Sequence, residues 1–250
     1  MNLKTSRETL NRTILNKGLK AYQVPKKFYI SPENIEKRFS FSLQRANKRL
    51  KYWKKVIFTD ESSFQLMNAN GRTLIRRFSN ENFEESNFQL TSQGETLMVW
   101  GAISSEGVGP LARIDTIEEN ETTLNGSRYV TLLQRYLLLN YPELKEHKLI
   151  FQQDNAPSHR YRGVSEWLEK KEIKKLQWPP QSPDLSLIEC VWNELKYRLR
   201  GEVFRNKEEL WKRLKKEWKL ITPEFIEELY QSMPNRIAAL NNAEGKQTKY

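Results

Sequence analysis

Cysteine occurs once in the 250 residues, at Cys190, and histidine only twice. That scarcity excludes an internal disulfide and a thiolate-held zinc ion. Long apolar runs are missing as well. Tyr136-Leu137-Leu138-Leu139 is among the longest, far short of the roughly 20 residues that a membrane span needs. Nothing apolar follows Met1-Asn2-Leu3-Lys4-Thr5, so no secretory leader is expected and the chain reads as intracellular. There is no Gly-x-x-x-x-Gly-Lys loop, no Gly-x-Gly-x-x-Gly and no Gly-x-Ser-x-Gly, which leaves NTPase, dinucleotide and serine-hydrolase readings without support. Internal repeats and low-complexity segments are also absent.

What is present is positive charge at one end. Residues 1–55 carry 15 Lys and Arg against 3 Glu, a net of +12, whereas the whole chain is +11, so the remainder is close to neutral. Such asymmetry points to a polyanion, most simply nucleic acid, because phosphate contacts supply most non-specific affinity. A solvated basic tail is the alternative that charge alone leaves open. Lys26, Lys27, Lys37, Arg38, Arg45, Lys48, Arg49 and Lys51 are the residues expected to line a DNA-facing linker and helix.

Periodicity outlines the rest. Thr5-Ser6-Arg7-Glu8 opens a short helix with Leu10, Ile14, Leu15 and Leu19 at helical spacing, and Ser31-Pro32-Glu33 opens a second, running to about Trp53. Val56–Asp60 is a strand with both faces covered. Weaker strands are expected over Ser63–Met67 and Thr73–Phe78, and a polar loop over Asn80–Thr96. Leu97–Ile103 and Val108–Ile114 form a hairpin. A helix over Tyr129–Leu139 precedes a strand at Leu149–Asp154, a helix at Val164–Lys171 and a short strand at Ile173–Trp178. Helices near 187–200, 206–220 and 223–241 close the chain. The order predicts an α/β fold, a mixed sheet covered by helices.

Two strands end in a carboxylate, Asp60 and Asp154. If the strands are neighbours, both acids emerge at one sheet edge, where ligands bind in such folds; capping the following turn is the plainer alternative for each. Glu189 lies about 100° around a helical wheel from Ile188, on the flank of the stripe formed with Val191, Trp192, Leu195 and Leu199. It either reaches the same edge or closes a capping box with Ser186. Three carboxylates from separate elements suit a hard, oxygen-seeking cation. His159 follows Asp154 closely and could touch phosphate or the surroundings of a metal, although local hydrogen bonds are the simpler reading. His147 reads as exposed and Cys190 as incidental. Trp100, Trp178 and Trp192 read as core residues, with base stacking by Trp178 as the alternative. The Glu81–Glu85 and Glu118–Glu121 runs read as solvated loops.

Phe58-Thr59-Asp60-Glu61-Ser62, Val99-Trp100-Gly101, Gly107-Val108-Gly109-Pro110-Leu111, Gln152-Gln153-Asp154-Asn155-Ala156-Pro157-Ser158-His159 and Trp178-Pro179-Pro180-Gln181-Ser182-Pro183-Asp184-Leu185 together resemble the catalytic domain of the Tc/mariner superfamily of DNA transposases. The intervals agree: 93 residues separate Asp60 from Asp154 and 34 separate Asp154 from Glu189, a gap similar to that of the Tc branch. The resemblance implies an RNase H-like five-stranded mixed sheet and cut-and-paste transposition. Asp60, Asp154 and Glu189 would hold two Mg²⁺ ions, with Mn²⁺ possible in their place. Water would cleave at terminal inverted repeats, and the freed 3′-OH would attack a TA target. It further implies a homodimer in a synaptic complex on double-stranded DNA, and residence in the nucleus.

The same resemblance divides the chain into a remnant of a second helix-turn-helix unit (1–22), a basic linker and helix (23–55) and a catalytic domain (56–250). It implies that the DNA-binding region is truncated at its amino end. Where the family usually reads Asp-Leu-Asn-Pro-Ile-Glu, this chain has Asp184-Leu185-Ser186-Leu187-Ile188-Glu189. A decayed or domesticated copy that binds DNA without transposing is therefore the alternative.

Overall fold

The computed structural model describes residues 6–17, 29–66, 95–117, 123–146 and 148–250. The first helix, α1 (Arg7–Asn16), is capped by the Ser6 hydroxyl accepting from Thr9 N–H. Its Leu10, Ile14 and Leu15 are exposed. In α2 (Pro32–Arg45) the Ser31 hydroxyl accepts from Asn34 N–H and Pro32 takes the first turn, where its missing N–H costs nothing. The single helix expected as far as Trp53 is broken. A short α3 (Leu50–Trp53) follows a four-residue turn. Trp53 lies twelve positions after Phe41, about 120° away on a continuous helix, and the break lets both rings enter one core.

Four strands, β1 (Val56–Gln65), β2 (Thr96–Ser104), β3 (Gly107–Arg113) and β4 (Ile150–Gln152), form a sheet in the order β3-β2-β1-β4. β1 runs antiparallel to β2 and parallel to β4, with Val56 opposite Ile150 and Phe58 opposite Gln152. The expected second strand at Ser63 is the end of a long β1. The segment 73–78 lies outside the described residues, as do His147 and the Glu81–Glu85 run.

The expected fifth strand does not form among the described residues. Residues 173–178 contribute one parallel bridge, Phe151 with Lys175, held by Phe151 N–H to Lys174 O (2.9 Å) and Leu176 N–H to Phe151 O (2.7 Å). Pro179-Pro180 follows at once, and two residues without N–H groups cannot continue a ladder.

Helices cover both faces. On one side lie α4 (Gly126–Leu132), a π-helical turn (Leu133–Leu137), α5 (Leu138–Asn140) and α6 (Arg162–Lys170). Tyr129, Leu132, Leu133, Val164 and Leu168 pack there on Ile57, Trp100 and Phe151. On the other side lie α7 (Leu187–Arg198), α8 (Lys207–Lys219) and α9 (Pro223–Asn242), whose Trp192, Trp218 and Tyr230 pack on Phe58, Val99 and Ile103. Gly101 is where α7 and α8 come closest to the sheet. A Cβ there would lie 2.6 Å from the Trp192 ring and 3.0 Å from that of Trp218, and these two indoles stack with centroids 5.3 Å apart. Tyr230 Oη donates to Val56 O at 2.6 Å, tying α9 to the start of β1.

Candidate active site

Strand alternation decides where the acids point. Phe58 and Gln152 are register partners on parallel strands. Asp60 and Asp154 each lie two residues further on, so both continue the face that carries α7. Asp60 is still within β1, whereas Asp154 is past the end of β4. Glu189 stands in the first turn of α7. The three line one cleft of about 370 Å³ together with Thr59, Gln152, Asn155, Trp178 and Ser186.

The capping alternatives resolve differently for Asp154 and Glu189. The Ser186 side chain makes no cap bond to α7, and the Ser186 N–H is bonded to Pro183 O at 3.0 Å. Glu189 is thus not engaged in a capping box. Asp154 does cap its turn: Oδ1 accepts from Ala156 N–H at 2.9 Å.

The electrostatics are those of crowded acids. Burial, then the neighbouring Glu61, Glu189 and Asp154, push the Asp60 carboxyl up to about 8. Burial and Asp154 also raise Glu189, against the opposing influence of Lys196. Burial works to raise Asp154 too, but hydrogen bonds from His159 and Ala156 outweigh it and hold that carboxyl below its ordinary value. Burial disfavours a charged His159, yet hydrogen bonds to Asp154 and Glu61 push it up to about 10.

His159 serves local hydrogen bonds, but its partners are carboxylates. Nδ1 lies 2.7 Å from Asp154 Oδ1 and Nε2 lies 3.2 Å from Glu61 Oε1. The imidazole is buried and stacks on Tyr129, centroids 4.1 Å apart. Sequence reasoning missed Glu61 and Tyr129. Glu61 points to the opposite sheet face from Asp60, and only the 154–159 loop brings the two sides together.

Among the described residues no three His, Cys, Asp or Glu side chains stand close enough together to enclose an ion as they are. The donor set nonetheless suits one. Three carboxylates converge on a cleft, and two of them, Asp60 and Glu189, are held above their ordinary range by burial and by acidic neighbours. An anionic cluster of this kind, with Asp60 and Glu189 half-buried and Asp154 exposed, is stabilised by a divalent cation.

The expected DNA-facing residues divide. Lys26 and Lys27 lie outside the described residues. Lys37, Lys48, Arg49 and Lys51 are exposed; Lys37 pairs with Glu33 at 2.5 Å, Lys48 sits over the Tyr52 ring and Arg45 over Phe41. Arg38 is a correction. It is fully buried, and its guanidinium donates to both carboxylate oxygens of Asp184 (2.9 and 2.7 Å), to Ser182 Oγ and to the carbonyls of Gln181 and Gly245. A basic run looks like a solvated face in sequence, but one turn of α2 faces inward. Trp178 is a core residue, edge-on to Phe41 and Phe58. Cys190 receives a hydrogen bond from Arg236 at 3.1 Å.

Residues 55–211 match the family model described as DDE superfamily endonuclease. The chain belongs to that family. The Tc1 transposase of Caenorhabditis elegans is 33% identical to this DDE endonuclease over 247 residues, covering 98% of this chain and 88% of the relative. The Tcb1 transposase of Caenorhabditis briggsae is 32% identical with the same coverage. The enzyme is thus one of the Tc1-type transposases. Its fold is that of the mariner Mos1 paired-end complex with Mg, with a TM-score of 0.82 at 20% identity over 99% of this chain and 73% of the other. The transposase therefore has an RNase H-like sheet, here of four strands among the described residues.

Proposed function

We propose that Asp60, Asp154 and Glu189 are the catalytic acids of this transposase and hold two divalent ions, Mg²⁺ or Mn²⁺. The observation that carries this is the convergence of the three carboxylates on one cleft, with Asp60 pushed up to about 8 by burial and its acidic neighbours. Mos1 is described in complexes with Mg and with Mn, which supports the choice of ions. When bound, such an ion pair activates the attacking oxygen and steadies the departing one in phosphodiester chemistry.

The chain's own residues supply the frame. β1 fixes Asp60 through its pairing with Gly101 of β2, and the Ala156 amide fixes one oxygen of Asp154. Trp192, buried against the sheet, anchors the first turn of α7 and with it Glu189. Trp178, Pro179 and Pro180 form an apolar wall of the cleft that limits water around the scissile phosphate.

The substrate on this reading is double-stranded DNA, first the transposon ends and then a TA target, held by two copies of the chain in the nucleus. Lys37, Arg45, Lys48, Arg49 and Lys51, with Lys26 and Lys27, supply phosphate contacts. Residues 56–250 act as the catalytic unit, 23–55 as its basic linker and helix, and 1–22 as part of a helix-turn-helix.

The test combines full-length protein, plasmid DNA, Mg²⁺ or Mn²⁺ and an oligonucleotide with a free 3′-OH. Ion-dependent nicking and joining of the oligonucleotide at TA are expected, with both lost by at least about 100-fold in Asp154→Ala, since even outer partners of metal sites cost 10–100-fold. DNA binding without nicking would establish the non-transposing alternative. Cleavage without joining would make the protein a hydrolytic nuclease.

A further inference from the structure

His159 and Glu61 have no part in the reaction as described above, yet they are built into it with unusual care. Asp154 Oδ1 accepts two hydrogen bonds, from Ala156 N–H at 2.9 Å and from His159 Nδ1 at 2.7 Å. Its Oδ2 makes none that the described residues show. The imidazole cannot drift from this position. Its far nitrogen is held by Glu61 Oε1 at 3.2 Å, its face lies on Tyr129 at 4.1 Å, and its backbone carbonyl accepts from Gln153 Nε2 at 3.3 Å. Gln153 in turn accepts from Tyr129 Oη at 3.0 Å. An imidazole that carries its proton on Nδ1 donates it to Asp154 Oδ1.

A carboxylate whose one oxygen already takes two strong donors offers an ion only the other. We propose that His159, braced by Glu61 and Tyr129, is a positioning residue that confines Asp154 to one-oxygen ligation and so sets the ion selectivity of the site. The inference rests on the assignment of Asp154 as a metal ligand. Its consequence follows from the ions' own preferences. Mg²⁺ demands a tight octahedron and is served by single carboxylate oxygens, whereas Ca²⁺ takes six to eight oxygens and readily accepts both from one carboxylate. A locked Asp154 favours Mg²⁺; an unlocked one admits Ca²⁺ as a two-oxygen ligand.

The ratio of the two affinities isolates this effect. Any change of charge on removing the imidazole acts alike on Mg²⁺ and Ca²⁺, which carry the same charge, and so cancels in the ratio. General loosening of the loop weakens both ions together and cancels likewise.

The experiment is calorimetric titration of Mg²⁺ alone and Ca²⁺ alone into the full-length wild type, His159→Ala and His159→Asn, with circular dichroism as the check on folding. In His159→Ala the Ca²⁺-to-Mg²⁺ affinity ratio is expected to rise roughly tenfold, the scale on which second partners tune metal sites. In His159→Asn, whose side-chain nitrogen occupies the same branch position as Nδ1, the ratio returns to the wild-type value. An unchanged ratio in His159→Ala, or equal shifts in both variants, would overturn the positioning role while leaving the metal site intact. Should His159→Ala not fold, an Asn variant with a shifted ratio refutes the role of the Nδ1 donor. Failure of the wild type to take up either ion would overturn the metal assignment itself.

Discussion

Asp60→Asn is expected to remove catalysis and yet make the ion-free protein harder to unfold. The carboxyl sits on β1 with Glu61 beside it and Glu189 and Asp154 facing the same cleft, and burial with that company lifts it to about 8. A carboxyl whose folded value exceeds its unfolded value of 3.8 binds more protons in the folded state. Stability is therefore highest below the unfolded value and falls as pH rises from about 4 to about 8, after which the loss is complete. Asn keeps the shape and cannot ionise, so the variant escapes that loss.

In a chelating buffer the melting temperature of Asp60→Asn should exceed that of wild type. The gap should widen between pH 4 and 8 and then level off, each ~1 kcal/mol appearing as roughly 2–4 °C at this chain length. Added Mg²⁺ should narrow the gap, because the wild type gains binding energy, about 2.7 kcal/mol at a concentration 100 times the dissociation constant, that the variant lacks. Cleavage should fall by more than ~100-fold. A melting point that drops with the substitution at every pH would show that Asp60 is structural and satisfied, contrary to the account.

Arg38→Ala carries the largest expected cost in stability. The guanidinium is wholly buried, and its partner Asp184 has a side chain only 2% exposed. Its further bonds to Gln181, Ser182, Gly245 and Lys246 join α2 to the turn before α7 and to the end of α9. Truncation leaves the Asp184 carboxylate buried with, among the described residues, only Thr248 Oγ1 still donating to it. Loss of one member of such a pair costs about 3–5 kcal/mol, roughly a 10 °C fall in melting temperature for a chain of this size. Unfolding in urea with and without the substitution measures it. Lys48→Gln, on the exposed side of the same segment, should instead leave the midpoint where it is and lower the salt dependence of DNA binding. If Arg38→Ala behaved like Lys48→Gln, the buried anchor would be refuted.

Arg38 also marks where reading the sequence stopped short. The strands at Val56 and Ile150 and the hairpin around Ser104–Gly107 were legible because apolar runs and turn residues signal them locally. For Asp60, Asp154 and Glu189 the pattern left capping open beside convergence on one sheet edge, and it was the family resemblance that singled them out as a trio; they do line one cleft. Arg38 was not legible, since nothing in a run of Lys and Arg says which one turns inward; only the long-range pairing with Asp184 decides it. The fifth strand was overread because Ile173, Leu176 and Trp178 make a short apolar-rich run, while the cost of Pro179-Pro180 falls on the ladder beyond it. Glu61 and Tyr129 escaped notice for a third reason. They approach Asp154 from the far face of the sheet, and a path around a sheet edge leaves no periodic trace.

Anomalous diffraction from crystals of the full chain grown with Mn²⁺ tests the central claim most directly. The account predicts manganese peaks in the cleft, at direct ligand distance from carboxylate oxygens of Asp60, Asp154 and Glu189, with Asp154 contributing a single oxygen. Manganese bound elsewhere, or a cleft in which the three carboxylates stay apart with no ion between them at saturating Mn²⁺, would contradict it.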